Sequence, residues 1–459
     1  MADTIAAIAT AQAVSAIGVV RISGARAREV LSTVFAPVHD GELLPRRMYY
    51  GALHDAQGRT LDHVLAVWFS AAHSYTGEDS AELHCHGSPV VLGEALRACF
   101  TAGARQAEAG EFTKRAFLNG KMDLTEAEAV IDLIDAETAQ AARSAAAQLD
   151  GALRRPAERV YDALLDLTSR FYAIVDYPDE EIEELTQQQT LSALADGERT
   201  LDALLGTFAR GRVLKSGVKT AIVGAPNAGK SSLLNALVGY ERAIVTDIPG
   251  TTRDTVEEKA VLGGVLLRLI DTAGLRETND VVEKLGVERS KRAVEEADLV
   301  LALLDGSAGL PQEAQLAERL APVELAARSG KPWLLLFTKA DLGGGVGPVP
   351  EPDWCRPEAV ISLSSVTHEG FDALERAVEA LYPAPPENAA LITSARQADA
   401  VSRALESLCA AREALLAGVT PDVVLTELES AQTALGELTG RTAREDMVAR
   451  IFERFCVGK

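Results

Sequence analysis

The chain is short of cysteine, of positive charge and of long apolar runs. Its five cysteines, Cys85, Cys99, Cys355, Cys409 and Cys456, are scattered over 459 residues with no C-x-x-C pair. Neither a disulfide framework nor a zinc knuckle is indicated, and a reducing compartment is the plain reading. Against 67 Asp and Glu stand only 45 Lys and Arg, a net charge of −22. That excludes nucleic-acid binding through bulk positive charge, so any RNA contact has to be local. No apolar run approaches the roughly 18 residues of a membrane span; the best, Val265 to Ile270, is short and carries Arg268. The first basic residue is Arg21, which fits neither a secretory signal nor an Arg-rich transit peptide. The expectation is a soluble, cytoplasmic protein with no membrane partner.

What is present is a globular composition, 47% hydrophobic with 24% charged residues, long enough for about three domains. Up to about Gly120 the chain reads as short strands, Ile17 to Ile22, Arg46 to Leu53 and Val64 to Phe69, broken by Gly, Pro and Asp. It then turns helical. Leu124, Ala127, Ile131 and Ile134 share one helical face, and Val160, Leu164, Leu167, Phe171 and Ile174 recur at steps of four and three. From Val218 strands and helices alternate: Val218 to Val223, a helix from Lys230, then Val265 to Ile270, Leu299 to Leu304, Trp333 to Phe337 and Val360 to Leu363. Such spacing predicts βαβ units and a parallel sheet covered on both faces. Gly343 to Pro352 reads as a loop inside this block. After about Pro383 the chain is helical again, with Val448, Ile451, Phe452 and Phe455 on one face.

Two helical stretches around an α/β block suggest that the block is inserted into a discontinuous helical domain. The expected fold is therefore multidomain: an N-terminal α/β domain over 1–120, helical parts over 121–213 and 381–459, and an inserted, doubly wound α/β P-loop domain over 214–380.

Gly224-Ala225-Pro226-Asn227-Ala228-Gly229-Lys230-Ser231 satisfies G-x-x-x-x-G-K-S/T and lies directly after an apolar strand and at the start of a helix. Backbone N–H groups of Asn227, Ala228, Gly229, Ser231 and Ser232 are placed to cradle phosphates, Lys230 adds a point charge at the β and γ phosphates, and Ser231 can ligate Mg²⁺. Asp271-Thr272-Ala273-Gly274 follows the strand Val265 to Ile270, the place for a second-shell Mg²⁺ acid and a γ-phosphate-sensing glycine. Thr338-Lys339-Ala340-Asp341 follows the strand Trp333 to Phe337. The Asp341 carboxylate can accept from both N1–H and the exocyclic amine of guanine, donors that adenine does not pair in this way. GTP and GDP are thus the expected ligands. Thr252, in Gly250-Thr251-Thr252-Arg253-Asp254, sits where a switch threonine completes Mg²⁺ coordination. Leu275 stands where Ras-like switches place a water-orienting glutamine, so another group has to position water. Glu283 is the candidate; the other reading is a solvated glutamate at a helix start.

These motifs resemble the translation-factor-related GTPases, with Thr338 in place of the usual Asn of the base motif and Ser364-Ser365-Val366 in place of Ser-Ala-Lys. With Gly250 to Asp254, Asn227 and the final Phe455-Cys456-Val457-Gly458-Lys459, the whole chain resembles the MnmE/TrmE family of tRNA-modification GTPases. The resemblance implies a homodimer that binds 5-formyl-tetrahydrofolate in its N-terminal domain. It also implies action with a flavin-dependent partner, MnmG (GidA), at C5 of the wobble uridine of tRNA. By motif match Asn227 would ligate K⁺, with backbone carbonyls from Thr246, Ile248 and Thr251. Arg21, Glu82 and Lys121, with Lys459 approaching from the C-terminus, match the family's folate-contacting positions. A runner-up of another class is an Era- or Der-like RNA or ribosome-assembly switch, against which stand the acidic charge and the lack of a basic tail.

Two further features stay open at this level. His84-Cys85-His86 would alternate on a strand with both histidines on one face, more in keeping with a structural or ligand-lining role than with a metal site. Cys456 reads either as a small apolar core residue beside Phe455 or as a thiol carried on a short flexible tail.

Overall fold

The computed structural model describes residues 3–176, 187–240, 258–270, 292–308, 313–343, 356–442, 445–453 and 455–458. Contacts divide the chain into two compact units: Met1–Ile131, Leu149–Leu201 and Ala400–Lys459 form one, Asp132–Gln148 and Asp202–Asp399 the other.

In the first unit a seven-stranded sheet is built from β1 (Ile5–Ile8), β2 (Ser15–Ser23), β3 (Phe35–Pro37), β4 (Tyr49–His54), β5 (Thr60–Phe69), β6 (Ser80–Gly87) and β7 (Arg105–Gln106), in the order β3-β4-β5-β6-β2-β1-β7. All neighbours are antiparallel except β1 and β7. Its buried face, with Val20, Ile22, Val64, Ala66, Ala81, Leu83 and Cys85, packs on Val30 and Leu31 of helix Ala27–Val34 and on Leu92 and Cys99 of helix Pro89–Thr101. The expected strands are found; β6, which runs through His84-Cys85-His86, joins them, and β1, β3 and β7 are added. These three are only two to four residues long, below the length at which alternation becomes readable.

The same unit holds long helices from both ends of the chain. Helix Arg154–Asp176 buries Val160, Leu164, Leu167 and Phe171 as the periodicity requires, and packs along helix Pro421–Thr439, where Gln432 Nε2 donates to Thr168 Oγ1 at 2.9 Å. In helix Leu124–Ile134 the first two face residues, Leu124 and Ala127, are fully buried, but Ile134 at the helix end is 46% exposed. Phe455 lies beyond helix Glu445–Phe452 rather than on it, yet stays buried because its ring stacks against Phe452 at 5.1 Å.

In the second unit β8 (Val218–Gly224), β9 (Glu258–Leu262), β10 (Val265–Ile270), β11 (Leu299–Asp305), β12 (Trp333–Thr338) and β13 (Ala359–Ser362) form a sheet ordered β13-β12-β11-β8-β10-β9. Alternation decides which core each side chain enters. Val218, Leu301, Leu303, Leu334 and Leu336 meet Phe371, Leu374 and Val378 on one face. Ala221, Val223, Val300, Ala302, Leu335 and Phe337 meet Leu316, Leu320 and Val323 on the other. Both faces are therefore covered, as parallel α/β sheets require. One strand departs from the expected parallel order: β9 is antiparallel to β10. Only Gly263 and Gly264 separate them, at φ 59° and 74°, and a two-residue turn with both φ positive closes a hairpin.

Candidate functional site

The carboxyl ends of β8, β11 and β12 bring one constellation together. Residues 225–229 leave β8, and helix Lys230–Tyr240 begins within the same motif. Asn227 takes φ 62° and Gly229 φ 88°, so successive N–H groups turn toward the loop's concave side. A Cβ on Gly229 would lie 3.4 Å from the Thr338 side chain. Lys230 is half-buried, and its Nζ donates to the carbonyls of Gly224 at 2.8 Å and Ala225 at 2.9 Å; burial lowers its pKa. The ammonium is thus held over the loop's own carbonyls by contacts that a phosphate can replace. Asn227, Ser231 and Ser232 are exposed, whereas Ala228 is buried.

The base-motif residues occupy the neighbouring strand end. Thr338 is 2% exposed, and its Oγ1 donates to Ala228 O at 2.7 Å. The hydroxyl that replaces the usual Asn amide therefore still joins the base loop to the P-loop. Lys339, at φ 61°, ion-pairs with Asp305 at 2.5 Å; Asp305 lies opposite Thr338 in the β11–β12 register. Asp341 is exposed, but its Oδ1 accepts a 2.6 Å hydrogen bond from Ser364 Oγ. Ser364 is fully buried and accepts in turn from the N–H groups of Val366 and Thr367, each at 3.2 Å. A buried hydroxyl tied to two backbone donors fixes the aspartate at a defined angle. Sequence reasoning placed Ser364 and Ser365 in the loop that stands for Ser-Ala-Lys, without this side-chain bond, and missed Asp305. The signal for Asp305 was its place one residue past the apolar run Leu299 to Leu304.

Thr246, Ile248, Thr251, Thr252, Asp271, Thr272, Ala273, Gly274 and Glu283 lie outside the described residues, as does Lys459.

A second constellation is in the first unit. Arg21 on β2 and Glu82 on β6 are direct cross-strand partners, and Arg21 Nε donates to Glu82 Oε1 at 2.9 Å. The guanidinium carbon lies 5.8 Å from the ring centres of both Tyr75 and Phe112. His84 Nε2 is 3.2 Å from Glu82 Oε2. Lys121 Nζ donates to Ala72 O at 2.9 Å, and its side chain passes close to Gly77, so it braces the loop that carries Tyr75. Tyr75 and Phe112 are the residues sequence reasoning missed here; nothing in their spacing singles them out.

Alternation on β6 places His84 and His86 away from Cys85, which is 2% exposed with its thiol pushed by burial up to about 12; His86 Nδ1 meets Asp62 Oδ1 at 2.7 Å. Among the described residues Cys85, Cys99, Cys409 and Cys456 are all unpaired thiols. The C-terminal segment corrects the picture of a free tail and of a buried thiol. Cys456 is exposed, but its carbonyl accepts from Gly110 N at 3.3 Å, and Val457 bridges Ala109. Gly458 takes φ 102°, where a Cβ would fall 2.3 Å from Ile8 O. Only glycine permits that approach.

Two family models cover the chain: the GTP-binding protein TrmE N-terminus over residues 4–121 and the MnmE helical domain over residues 124–456. The chain belongs to the MnmE family. Among its relatives, a tRNA modification GTPase MnmE of Akkermansia muciniphila is 42% identical over 99% of both chains. That of Alkaliphilus metalliredigens is 41% identical over 100% of this chain and 99% of its own, and that of Laribacter hongkongensis 44% over the same shares. As a member of that family, the chain is a GTPase. Its residues 224–231, 338–341 and 364–366 are the parts of the nucleotide motifs that the described structure contains.

Proposed function

We propose that this protein is the GTP-hydrolysing subunit of a tRNA wobble-uridine modification enzyme, acting at C5 of U34 as a homodimer with a flavin-dependent MnmG partner and 5-formyl-tetrahydrofolate. The observation that carries the reading is the guanine corner: a P-loop, Thr338 bonded to it, and Asp341 held by buried Ser364, in a chain similar to MnmE proteins from end to end. Lys230 and the loop N–H groups bind the phosphates, and Asp341 selects guanine over adenine.

The residues present fit the implied ions. Ser231 is exposed at the helix start and Thr252 belongs to the switch loop; together they would hold Mg²⁺, which screens phosphate charge when bound. Asn227, exposed and in a left-handed conformation, presents an amide oxygen donor that would hold K⁺ with the carbonyls of Thr246, Ile248 and Thr251. Such a cation supplies charge where Leu275 leaves no water-orienting glutamine. Glu283 is assigned to positioning water. Asp271 to Gly274 would sense the γ-phosphate.

For the second constellation, Arg21 and Lys121 present donors to the carboxylates or carbonyl of a folate, and Glu82 accepts from pterin N–H groups. Tyr75 and Phe112, either side of the Arg21 guanidinium, offer rings for stacking. Lys459 would reach this place from the docked C-terminal segment. On this reading the chain keeps the division into 1–120, 121–213, 214–380 and 381–459. No helix among the described residues is long and apolar enough to cross a membrane.

Mass analysis of tRNA nucleosides from cells lacking the protein tests the reading. Loss of the C5-modified wobble uridine is expected; unchanged wobble uridine with altered ribosome assembly would point to the Era- or Der-like alternative. Turnover should rise when K⁺ replaces Na⁺, and equal rates in the two salts would remove Asn227 from the cation role.

A further inference from the structure

The hairpin β9–β10 has a place in the chain that its modest length conceals. It begins at Glu258, just after the segment that carries Thr246 to Thr252, and ends at Ile270, just before Asp271. It is therefore the rigid link between the two loops assigned to the γ-phosphate. Its β10 strand pairs with β8 through Leu267↔Val218 to Ile270↔Ala221. That register fixes where Ile270, the last residue before Asp271, stands along β8, the strand from which the P-loop leaves.

Within the hairpin Lys259 and Arg268 are direct cross-strand partners. Two like charges in that position repel and loosen a strand pair. Here both converge on one carboxylate from another part of the chain. Glu137 Oε2 lies 2.8 Å from Lys259 Nζ, and Glu137 Oε1 lies 2.9 Å from Arg268 Nη2. The three side chains are between 23% and 30% exposed, so water screens the pairs only in part. Arg268 also donates through Nε to Ser216 O at 2.6 Å.

Two neighbours extend the clamp. A Cβ on Gly264, at the hairpin turn, would fall 2.5 Å from Gln140 Nε2, so the turn lies directly against the segment three residues beyond Glu137. On the other side of Glu137, Asp132 pairs with Lys215 at 2.7 Å and accepts from Thr393 Oγ1 at 3.0 Å. The segment 132–140 thus grips the hairpin near its open end and at its tip, and holds the chain both before β8 and after β13. A cavity of about 580 Å³ lies among these groups.

We infer that Glu137 is a positioning residue for GTP hydrolysis: it cancels the Lys259–Arg268 repulsion and so holds β10, the strand that leads into Asp271, in register with β8, from which the P-loop leaves. This deepens the GTPase reading above and rests on it. The nucleotide-binding groups themselves are on other strands: Lys230 follows β8 and Asp341 follows β12. Loss of Glu137 should therefore slow the chemical step and spare nucleotide affinity.

The test uses the full-length protein and three forms: wild type, Glu137→Gln, and Glu137→Gln with Lys259→Gln. Glu137→Gln keeps shape and removes charge; kcat for GTP at saturation should fall roughly fivefold while affinity for a fluorescent GDP analogue stays within about twofold. Adding Lys259→Gln removes the repulsion and should recover most of kcat. An unchanged kcat in Glu137→Gln overturns the inference. So does a loss that Lys259→Gln fails to relieve, because it would mark Glu137 as a general fold contact. A wild-type protein that does not turn over GTP overturns the underlying reading instead, and the inference with it.

Discussion

The two proposed sites, one on each sheet, are assembled on opposite plans. At the carboxyl ends of β8 and β12 the phosphate and base groups come from runs of eight and four consecutive residues, Gly224 to Ser231 and Thr338 to Asp341. In the N-terminal sheet Arg21 and Glu82, 61 positions apart in sequence, meet only because β2 and β6 pair in one register. Phe112 and Tyr75 arrive from two further segments. A phosphate is bound chiefly by backbone N–H groups, so one loop of fixed shape suffices. A flat heterocycle with carboxylates needs side chains aimed from several directions, and only tertiary structure can supply those.

This contrast makes ordered predictions. The largest effect falls on the local site. Lys230→Ala removes the ammonium that bridges the loop carbonyls and should weaken GTP and GDP binding about 100-fold or more, as expected for loss of several charge-assisted hydrogen bonds. Titration calorimetry with GDP checks it, and an affinity within a few fold of wild type would break the P-loop assignment.

Next comes the dispersed site. Arg21→Met keeps the aliphatic contacts with Tyr75 and Phe112 but loses the charge beside Glu82. Affinity for 5-formyl-tetrahydrofolate should fall roughly 30-fold, with GDP affinity unchanged. If both ligands are affected alike, the two sites are not independent in the way their construction implies.

A smaller change should follow from Ser364→Ala. The Asp341 carboxylate stays, but its 2.6 Å hydrogen bond is lost. Guanine nucleotide affinity should drop about fivefold to tenfold, with selectivity over ATP retained. Full affinity would show that Asp341 is held by its loop alone.

The smallest effect is on stability. Asp123 caps helix Leu124–Ile134, its Oδ1 accepting from Glu126 N at 2.8 Å, while its Oδ2 is buried with no hydrogen-bond partner among the described residues. Burial, opposed by hydrogen bonds from Glu126 and Thr125, pushes this carboxyl up to about 6 from 3.8. The folded form then holds its proton more tightly than the unfolded form. Stability is favoured below about pH 4 and falls as pH rises toward 6. Asp123→Asn keeps an acceptor for the cap and removes the titration. Urea unfolding at pH 4.5 and 6.5 should show the variant losing roughly 1–2 kcal/mol less between the two than wild type. Parallel losses would place the pH dependence elsewhere.

The nucleotide block shows how much was legible in advance. Mainly apolar runs of four to six residues revealed β8, β10, β11, β12 and β13 within one or two residues, because a strand buried on both faces is mostly apolar. The antiparallel β9 escaped notice: Glu258 and Lys259 open it, and its three apolar residues, Ala260, Val261 and Leu262, are too few for a period. The Gly263-Gly264 pair was its only local mark.

At the other end of the scale stands the C-terminus. The sequence Phe455 to Lys459 was recognisable as a family mark, but its placement was not. Phe455 leaves the helix and still enters the core with Phe452, while Cys456 faces outward on a backbone tied to Ala109 and Gly110. A period of 3.6 can assign faces only while the helix lasts, and this one ends at Phe452.

The amino-acid sequence by itself determined what fits in a short window: a P-loop motif, the aspartate proposed to read guanine, amphipathic helices and alternating strands. Those follow from backbone geometry and the period of the side chains. Tertiary structure alone decided the pairs that span the chain: Arg21 on Glu82, Ser364 under Asp341, Asp305 on Lys339, and Glu137 between Lys259 and Arg268. Strand order and register brought them together, and both are set by the burial of whole sheet faces rather than by any residue's neighbours in sequence.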